Sequence, residues 1–202
     1  WLADALSTAE PLAAEVRDRG ASLDEPLAIV GVGLKLPGGA TDLDSLWAVL
    51  SEERDALVDI PQDRFHVGSI YDPDPDAKGK TYVQRAALID DVASFDSSFF
   101  GISPREADPL DPQHRLLLET AWVALENAGL PPGSLRGSST GVFVGIGANE
   151  YADYRGRSSD ESDAYDATGH MTSFAAGRVA YHLGLQGPTL ALDTACSSSL
   201  VA

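Results

Sequence analysis

Three short apolar runs, set apart by segments of helical periodicity, constrain this chain most. They are Leu27–Val32, Val142–Ile146 and Thr189–Thr194. Continuous rather than alternating apolar runs of this length are the pattern of strands covered on both faces, as in parallel sheets. Between the first two runs lies the clearest helix. Asp111 is its N-cap, Pro112 its first residue and Gly129 its end, and Leu117, Ala121, Trp122, Leu125 and Ala128 form its apolar stripe. Between the last two runs, residues 168–183 predict one helix with Met171, Phe174, Ala175 and Val179 inward. Strands alternating with helices predict an α/β fold with a largely parallel sheet.

Shorter elements surround this frame. Leu43, Leu46, Trp47 and Leu50 repeat at helical spacing, with Thr41 and Asp44 as N-cap signals. From Asp55 to Ser103 turns interrupt the pattern, and strand-like pieces near Thr81–Val83 and Ala86–Ile89 predict a surface excursion with a small hairpin. Residues 149–166 are polar and predict a flexible segment. Residues 1–25 predict a linker or docking helix: Leu2, Leu6, Ala9, Ala13 and Val16 step by four and three, and two heptads are too few for a coiled coil. The chain starts at Trp1 rather than Met and stops six residues after its one cysteine, so a piece of a longer polypeptide is expected.

Composition narrows the function classes. Hydrophobic residues make up 44% and charged residues 22%, which excludes a wholly disordered chain. Thirty-one acidic against fourteen basic residues give a net charge of −17, a surface that repels nucleic acid and anionic membrane. No stretch reaches the ~18 apolar residues of a membrane span, and the N-terminus lacks a signal-peptide pattern. A single cysteine allows no internal disulfide, and the expected setting is cytoplasmic.

Several suggestive motifs fail on spacing. The third glycine of a dinucleotide fingerprint falls on Leu36 after Gly31-x-Gly33 and on Glu150 after Gly145-x-Gly147. The spacing from Gly33 to Gly38 mimics a P-loop, but its lysine position holds Gly39. These glycines are therefore expected to serve tight strand-to-loop turns. Asp72, Asp74 and Asp76 copy the opening of a calcium loop, but Ala77 and Val83 occupy its sixth and twelfth positions, so a solvated loop is expected. His66, His114, His170 and His182 show no metal-ligand spacing and are expected to be structural. His114, in the first turn of a helix, is better accommodated neutral than charged.

One motif survives. Thr194-Ala195-Cys196-Ser197-Ser198-Ser199-Leu200-Val201-Ala202 follows a strand and opens a helix. A strand–turn–helix junction presents a side chain at the positive end of a helix, which favours the reactive thiolate form of a cysteine. Free N–H groups of the first turn can hold a developing oxyanion. Ala195, Ser197 and Ser198 are small and leave room for a substrate. Taken on its own, Cys196 is either such a nucleophile or a buried small hydrophobe.

Asp193-Thr194-Ala195-Cys196-Ser197-Ser198-Ser199 resembles the active-site signature of the β-ketoacyl synthases of modular polyketide synthases and related type I fatty acid synthases. The resemblance extends through Pro26–Gly31, Leu36–Gly39, Phe99–Ala107, Asp108–Gln113, Gly141–Gly145, Gly177–Tyr181 and Gly187-Pro188, in the family's order over 26–202. It implies a thiolase-like layered αβαβα fold of which this chain supplies the N-terminal half. It implies that Cys196 takes an acyl group from the phosphopantetheine arm of an acyl carrier protein, with its N–H as one oxyanion donor. A malonyl-type extender on a second carrier is then decarboxylated and condensed with that acyl group. No cofactor bound by the domain itself is implied.

The implied partners are acyl carrier protein domains, a second ketosynthase copy in a homodimer, and neighbouring domains such as an acyltransferase. The strand 189–194 would lie near the dimer two-fold, and Met171 or its neighbours would border the partner's acyl pocket, which makes Met171 a candidate substrate-binding residue. The resemblance also implies two catalytic histidines downstream of the cysteine, past Ala202, so the chain alone is expected to be inactive. Cys196 argues against the loading variant that carries glutamine at this position. A transfer-only ketosynthase and a non-catalytic scaffold or dimerisation fragment remain the alternatives.

Overall fold

The computed structural model describes residues 26–64, 66–148, 150, 151, 153 and 164–202. The stripe over residues 1–25 and most of the polar segment 149–166 lie outside the described residues. Two compact units divide the chain at Val30. In the first, the described residues 26–30 form no strand, and Leu27 is 98% exposed. This corrects the expectation of a strand covered on both faces: a strand needs neighbours for its N–H and C=O groups, and none pairs with this run among the described residues.

In the second unit, α1 (Leu43–Ser51) starts at Asp42 rather than at the expected Thr41 or Asp44. Asp42 Oδ1 accepts the Ser45 N–H at 2.7 Å and Ser45 Oγ accepts the Asp42 N–H at 3.0 Å, a reciprocal capping box. The Ser45 hydroxyl holds the Asp42 carboxyl below its usual range. The surface excursion carries β1 (Leu57–Asp59), the single turn α2 (Val67–Ile70) and β2 (Arg85–Ala87). β1 and β2 pair antiparallel, Leu57 opposite Ala87, across the long connection 60–84. The expected small hairpin of neighbouring strands is therefore a ribbon of sequence-distant strands, and Thr81 instead bridges Tyr71.

Ser103 caps the turn α3 (Pro104–Ala107), accepting the Glu106 N–H. Asp111 caps α4 (Pro112–Asn127), accepting the Gln113 N–H at 2.8 Å, with Pro112 in the first turn as predicted. The most buried apolar residue of α4 is Leu118, which packs with Phe100, Val179 and Leu183 and, from the predicted stripe, Leu117, Ala121, Trp122 and Leu125. Fully burying such a side chain contributes about 1.5–3 kcal/mol. The glycines at 31 and 33 serve close approach rather than a turn: added Cβ atoms would stand 2.3 Å from the Ala124 carbonyl oxygen and 2.1 Å from that of Thr120. Val32 N–H donates to Asn127 Oδ1 at the end of α4.

The remaining elements form one strand–helix–strand unit. β3 (Val142–Gly145) and β4 (Thr189–Leu192) pair in parallel, Val142 opposite Thr189 and Gly145 opposite Leu192. The predicted parallel α/β arrangement is borne out. The single helix predicted for 168–183 is two, α5 (Ala164–His170) and α6 (Ser173–Leu183). The break has a cause: Gly169 O accepts the Asp111 N–H at 3.0 Å instead of continuing the helical ladder, and a Cβ at Gly169 would meet Pro109 O at 2.7 Å. Ala175 and Val179 are buried as predicted, but Met171 is 53% and Phe174 40% exposed, a correction to the inward face. Ala175 and Ala176, both small, let α6 lie directly on Val144 and Ala191 of the strand pair and on Ile146 just past β3. The chain ends in α7 (Ser198–Val201). Among the described residues no helix is long and apolar enough to cross a membrane.

Candidate active site

The sequence feature that survived spacing tests is a tight turn between β4 and α7. β4 ends at Leu192, and Asp193 Oδ1 accepts the Ala195 N–H at 3.0 Å. Ala195 has φ +54°, the left-handed region that non-glycine residues avoid. Cys196 follows, exposed and in no disulfide among the described residues, unlike a buried small hydrophobe. Ser197 leads into α7, and its hydroxyl donates to Thr194 O at 2.8 Å.

The backbone donors of the turn are almost all committed. Thr194 N–H goes to Ser198 Oγ, Ala195 N–H to Asp193, Ser197 N–H to Thr194 O and Ser198 N–H to Ala195 O. The Cys196 N–H makes no hydrogen bond among the described residues. The exposed thiol and an uncommitted N–H thus belong to the same residue. A thioester carbonyl attacked by that thiol would place its developing oxyanion within reach of an unoccupied donor.

Two features of this site escaped sequence reasoning. Ser198 was expected to be merely small, yet it is 8% exposed and both donates and accepts within the turn. Gly145 was expected to serve a turn. Its function is close approach, because a Cβ there would lie 2.6 Å from the Ser199 backbone nitrogen. Gly147, by contrast, faces the Asp193 carboxylate with ordinary spacing, 3.6 Å from its added Cβ. Buried small residues flanking an apolar strand end are the one sequence signal that could have pointed to either position.

Met171 stands in the break between α5 and α6, and no hydrogen bond joins it to the Cys196 turn among the described residues. Of the histidines, His182 packs on Phe100 (ring centroids 4.9 Å apart) and Trp122, and His170 meets the Tyr151 ring edge-on. His66 precedes α2 and borders an open surface depression with Asp59 and Gln84. His114 is 1% exposed, and among the described residues neither ring nitrogen has a hydrogen-bond partner. Burial pulls its pKa down to about 4, against the attraction of Asp111 and with repulsion from Arg178 and His170 adding to the fall. Burial thus favours the neutral imidazole, the same direction as expected from its place in the first turn of α4.

Beside His114 lies an ion pair. Arg178 Nη1 donates to Glu106 Oε1 at 2.6 Å, and Arg178 Nη2 to Thr168 O, so one guanidinium ties α6 to α3 and α5. A cavity of about 170 Å³ lined by Phe100, Ile102, Leu118 and this pair lies at the same junction, away from Cys196. Asp72 and Asp74 accept the backbone N–H groups of Asp74 and Asp76, local turns of a solvated loop. Among the described residues no group of three or more potential ligands could hold a metal.

Residues 24–202 match the family model for the N-terminal domain of β-ketoacyl synthase. A type I phenolphthiocerol synthesis polyketide synthase from Mycobacterium bovis is 51% identical over 190 residues, 94% of this chain and 9% of that protein. A pikromycin polyketide synthase component from Streptomyces venezuelae is 49% identical over 180 residues, 89% of this chain and 5% of that protein. Among solved structures, an oxazolomycin ketosynthase domain from Streptomyces albus superposes with a TM-score of 0.77 at 39% identity, covering 89% of this chain and 30% of that one. The ketosynthase from module 6 of the bacillaene synthase of Bacillus subtilis gives 0.70 at 37%, covering 86% and 27%. The chain therefore spans under a tenth of these curated relatives and under a third of these solved chains. The likeness places its described residues in the thiolase-like fold of ketosynthases, as the N-terminal portion.

Proposed function

The chain belongs to the β-ketoacyl synthase family, as its N-terminal domain, and from that premise we propose that it is the nucleophile-bearing part of a polyketide-synthase ketosynthase, with Cys196 as the acyl acceptor. The observation that carries the reading is the β4–α7 turn, which presents on one residue an exposed thiol and an N–H that makes no hydrogen bond among the described residues. In the proposed reaction the Cys196 thiolate attacks the thioester carbonyl of an acyl group on a carrier protein's phosphopantetheine arm. The Cys196 N–H holds the oxyanion, the bond to the arm's sulfur breaks, and the arm leaves as a thiolate that takes up a proton from water in place of the one the Cys196 thiol gave up. A malonyl-type extender on a second carrier then loses carbon dioxide. Its carbanion attacks the Cys196 thioester, a carbon–carbon bond forms, and Cys196 departs as thiolate. Splitting acyl transfer from condensation divides one difficult step into two.

Around this core the reading extends to an acidic cytoplasmic protein working as a homodimer, with acyl carrier and acyltransferase domains as neighbours. Residues 1–25 would act as a linker or docking helix ahead of 26–202. The exposed Phe143, Leu190 and Leu200, on the strands and helix that carry the turn, suit surfaces covered by the rest of such an assembly. Met171, exposed at the break before α6, is offered with its neighbours as a border of the acyl pocket of the partner subunit.

The test uses the intact natural polypeptide with an acyl–carrier thioester. The wild type should gain the acyl mass on the peptide containing Cys196 and, given extender, form the β-ketoacyl product. Cys196→Ala should do neither. Loading or condensation that persists in that variant overturns the assignment.

A further inference from the structure

We propose that Ser198 is a positioning residue for Cys196, and that its buried hydroxyl sets the direction in which the thiol and the Cys196 N–H are presented. The inference rests on the reading of Cys196 as acyl acceptor. It starts from one peptide unit. The carbonyl of Ala195 and the N–H of Cys196 belong to the same planar, trans peptide, so they point in opposite directions. Fixing the carbonyl fixes the N–H.

Ser198 fixes that carbonyl twice. Its backbone N–H donates to Ala195 O at 3.1 Å and its hydroxyl donates to the same oxygen at 2.7 Å. The hydroxyl oxygen also accepts the Thr194 N–H at 2.9 Å. One side chain therefore bonds both the N–H of Thr194 and the carbonyl of the strained Ala195 itself, whose φ of +54° a non-glycine residue adopts only when its surroundings impose it. With Ala195 O turned toward Ser198, the Cys196 N–H turns away from the turn and stays uncommitted.

The three consecutive serines are not equivalent in this respect. Among the described residues the exposed Ser197 hydroxyl bonds only Thr194, and the exposed Ser199 hydroxyl makes no hydrogen bond. Ser198 is held in place from behind by Gly145 of β3, whose missing side chain lets the Ser198–Ser199 backbone rest on the strand. The hydroxyl is thus seated on the sheet, and the sheet's position is passed to the nucleophile through it.

The experiment compares Ser198→Ala, Ser198→Thr and Ser198→Cys in the intact polypeptide. It measures Cys196 acylation by an acyl–carrier thioester, the KM for that donor, alkylation by iodoacetamide and the thermal midpoint. Ser198→Ala should slow acylation at saturating donor by on the order of 10- to 100-fold, with KM and midpoint near wild type. Iodoacetamide needs no oxyanion donor, so its rate should hold, and Ser198→Thr should restore most of the acylation. Acylation by Ser198→Ala at the wild-type rate overturns the proposal, as does equal slowing in Ser198→Ala and Ser198→Thr, which would make volume rather than the hydroxyl responsible. If Ser198→Ala does not fold, Ser198→Cys decides, with slowed acylation at normal alkylation supporting the role and an unchanged rate overturning it. Loading that persists in Cys196→Ala would instead sink the underlying reading of the nucleophile.

Discussion

Gly145 at the end of β3 faces Ser199 in the first turn of α7 so closely that a methyl group on Gly145 would lie 2.6 Å from the Ser199 backbone nitrogen and 2.8 Å from the Ser198 carbonyl carbon. Backbone rests on backbone, with no flexible side-chain end between them. The helix that begins after Cys196 is therefore held by a neighbouring strand as well as by its own chain connection.

Gly145→Ala should consequently destabilise the protein by about 1–3 kcal/mol, the usual cost of forcing a methyl into a packed contact, and it should slow acylation of Cys196. Gly177 provides the contrast. It lies inside α6, and nothing stands within 4 Å of an added Cβ. Gly177→Ala should stabilise by about 0.5–1 kcal/mol through helix propensity alone. Thermal unfolding of the two variants checks this, and a Gly145→Ala variant as stable as wild type would refute the close contact.

The Arg178–Glu106 pair should behave as a partly buried charge couple. Arg178 Nη1 and Glu106 Oε1 are 2.6 Å apart, with their side chains 13% and 26% exposed. Removing one partner leaves the other charge poorly solvated at the junction of α3, α5 and α6. Glu106→Gln or Arg178→Met should each cost toward the lower end of about 3–5 kcal/mol. The double variant should cost less than the sum of the two. A double-mutant cycle on denaturant midpoints reads this directly, and strict additivity would show that the two charges are not coupled.

His114 predicts an acid limb to stability. Its folded pKa, near 4, lies below the ordinary value of 6.5, mainly because burial disfavours the cation. Below pH 6.5 the unfolded chain binds a proton that the folded chain refuses, so stability is complete above pH 6.5 and falls as pH drops toward 4. The full effect is about 3 kcal/mol, from roughly 1.4 kcal/mol per pKa unit. Because neither ring nitrogen has a hydrogen-bond partner among the described residues, His114→Leu forfeits no bond seen there and should flatten this limb. Urea melts across pH 4–7 would show it, and an unchanged limb in His114→Leu would assign the acid sensitivity elsewhere.

The sequence carried the parallel strand pair, α4 and its Asp111 cap because each rests on local signals, namely continuous apolar runs, a capping residue and a proline in the first turn. It failed where distant chain segments intervene. The split between α5 and α6 depends on Asp111 capturing the Gly169 carbonyl, a bond between residues remote in sequence that no periodicity encodes. Leu27–Val30 carried the strand pattern, but pairing needs a neighbour, and none is present among the described residues. At the site, Cys196 stood out by chemistry and by its strand–helix setting. Ser198 did not, since Ser197, Ser198 and Ser199 are identical in sequence and differ only in what the turn geometry does with each hydroxyl.

Ala195 yields a prediction in which stability and reactivity separate. A non-glycine residue in the left-handed region carries roughly 1–2 kcal/mol of strain. Ala195→Gly removes that strain at φ +54° and loses somewhat less to the freer unfolded chain, so stability should be unchanged or slightly higher. The same substitution admits conformations that alanine excludes. On the proposed function, the Ala195–Cys196 peptide would then wander, and acyl transfer to Cys196 should fall on the order of tenfold even though no catalytic group was removed. Thermal midpoint and acylation rate measured side by side test this. A midpoint several degrees lower would mean that the Ala195 methyl packs rather than strains. An unchanged acylation rate would mean that the turn is held by its hydrogen bonds alone, with the left-handed residue making no contribution to aiming the thiol.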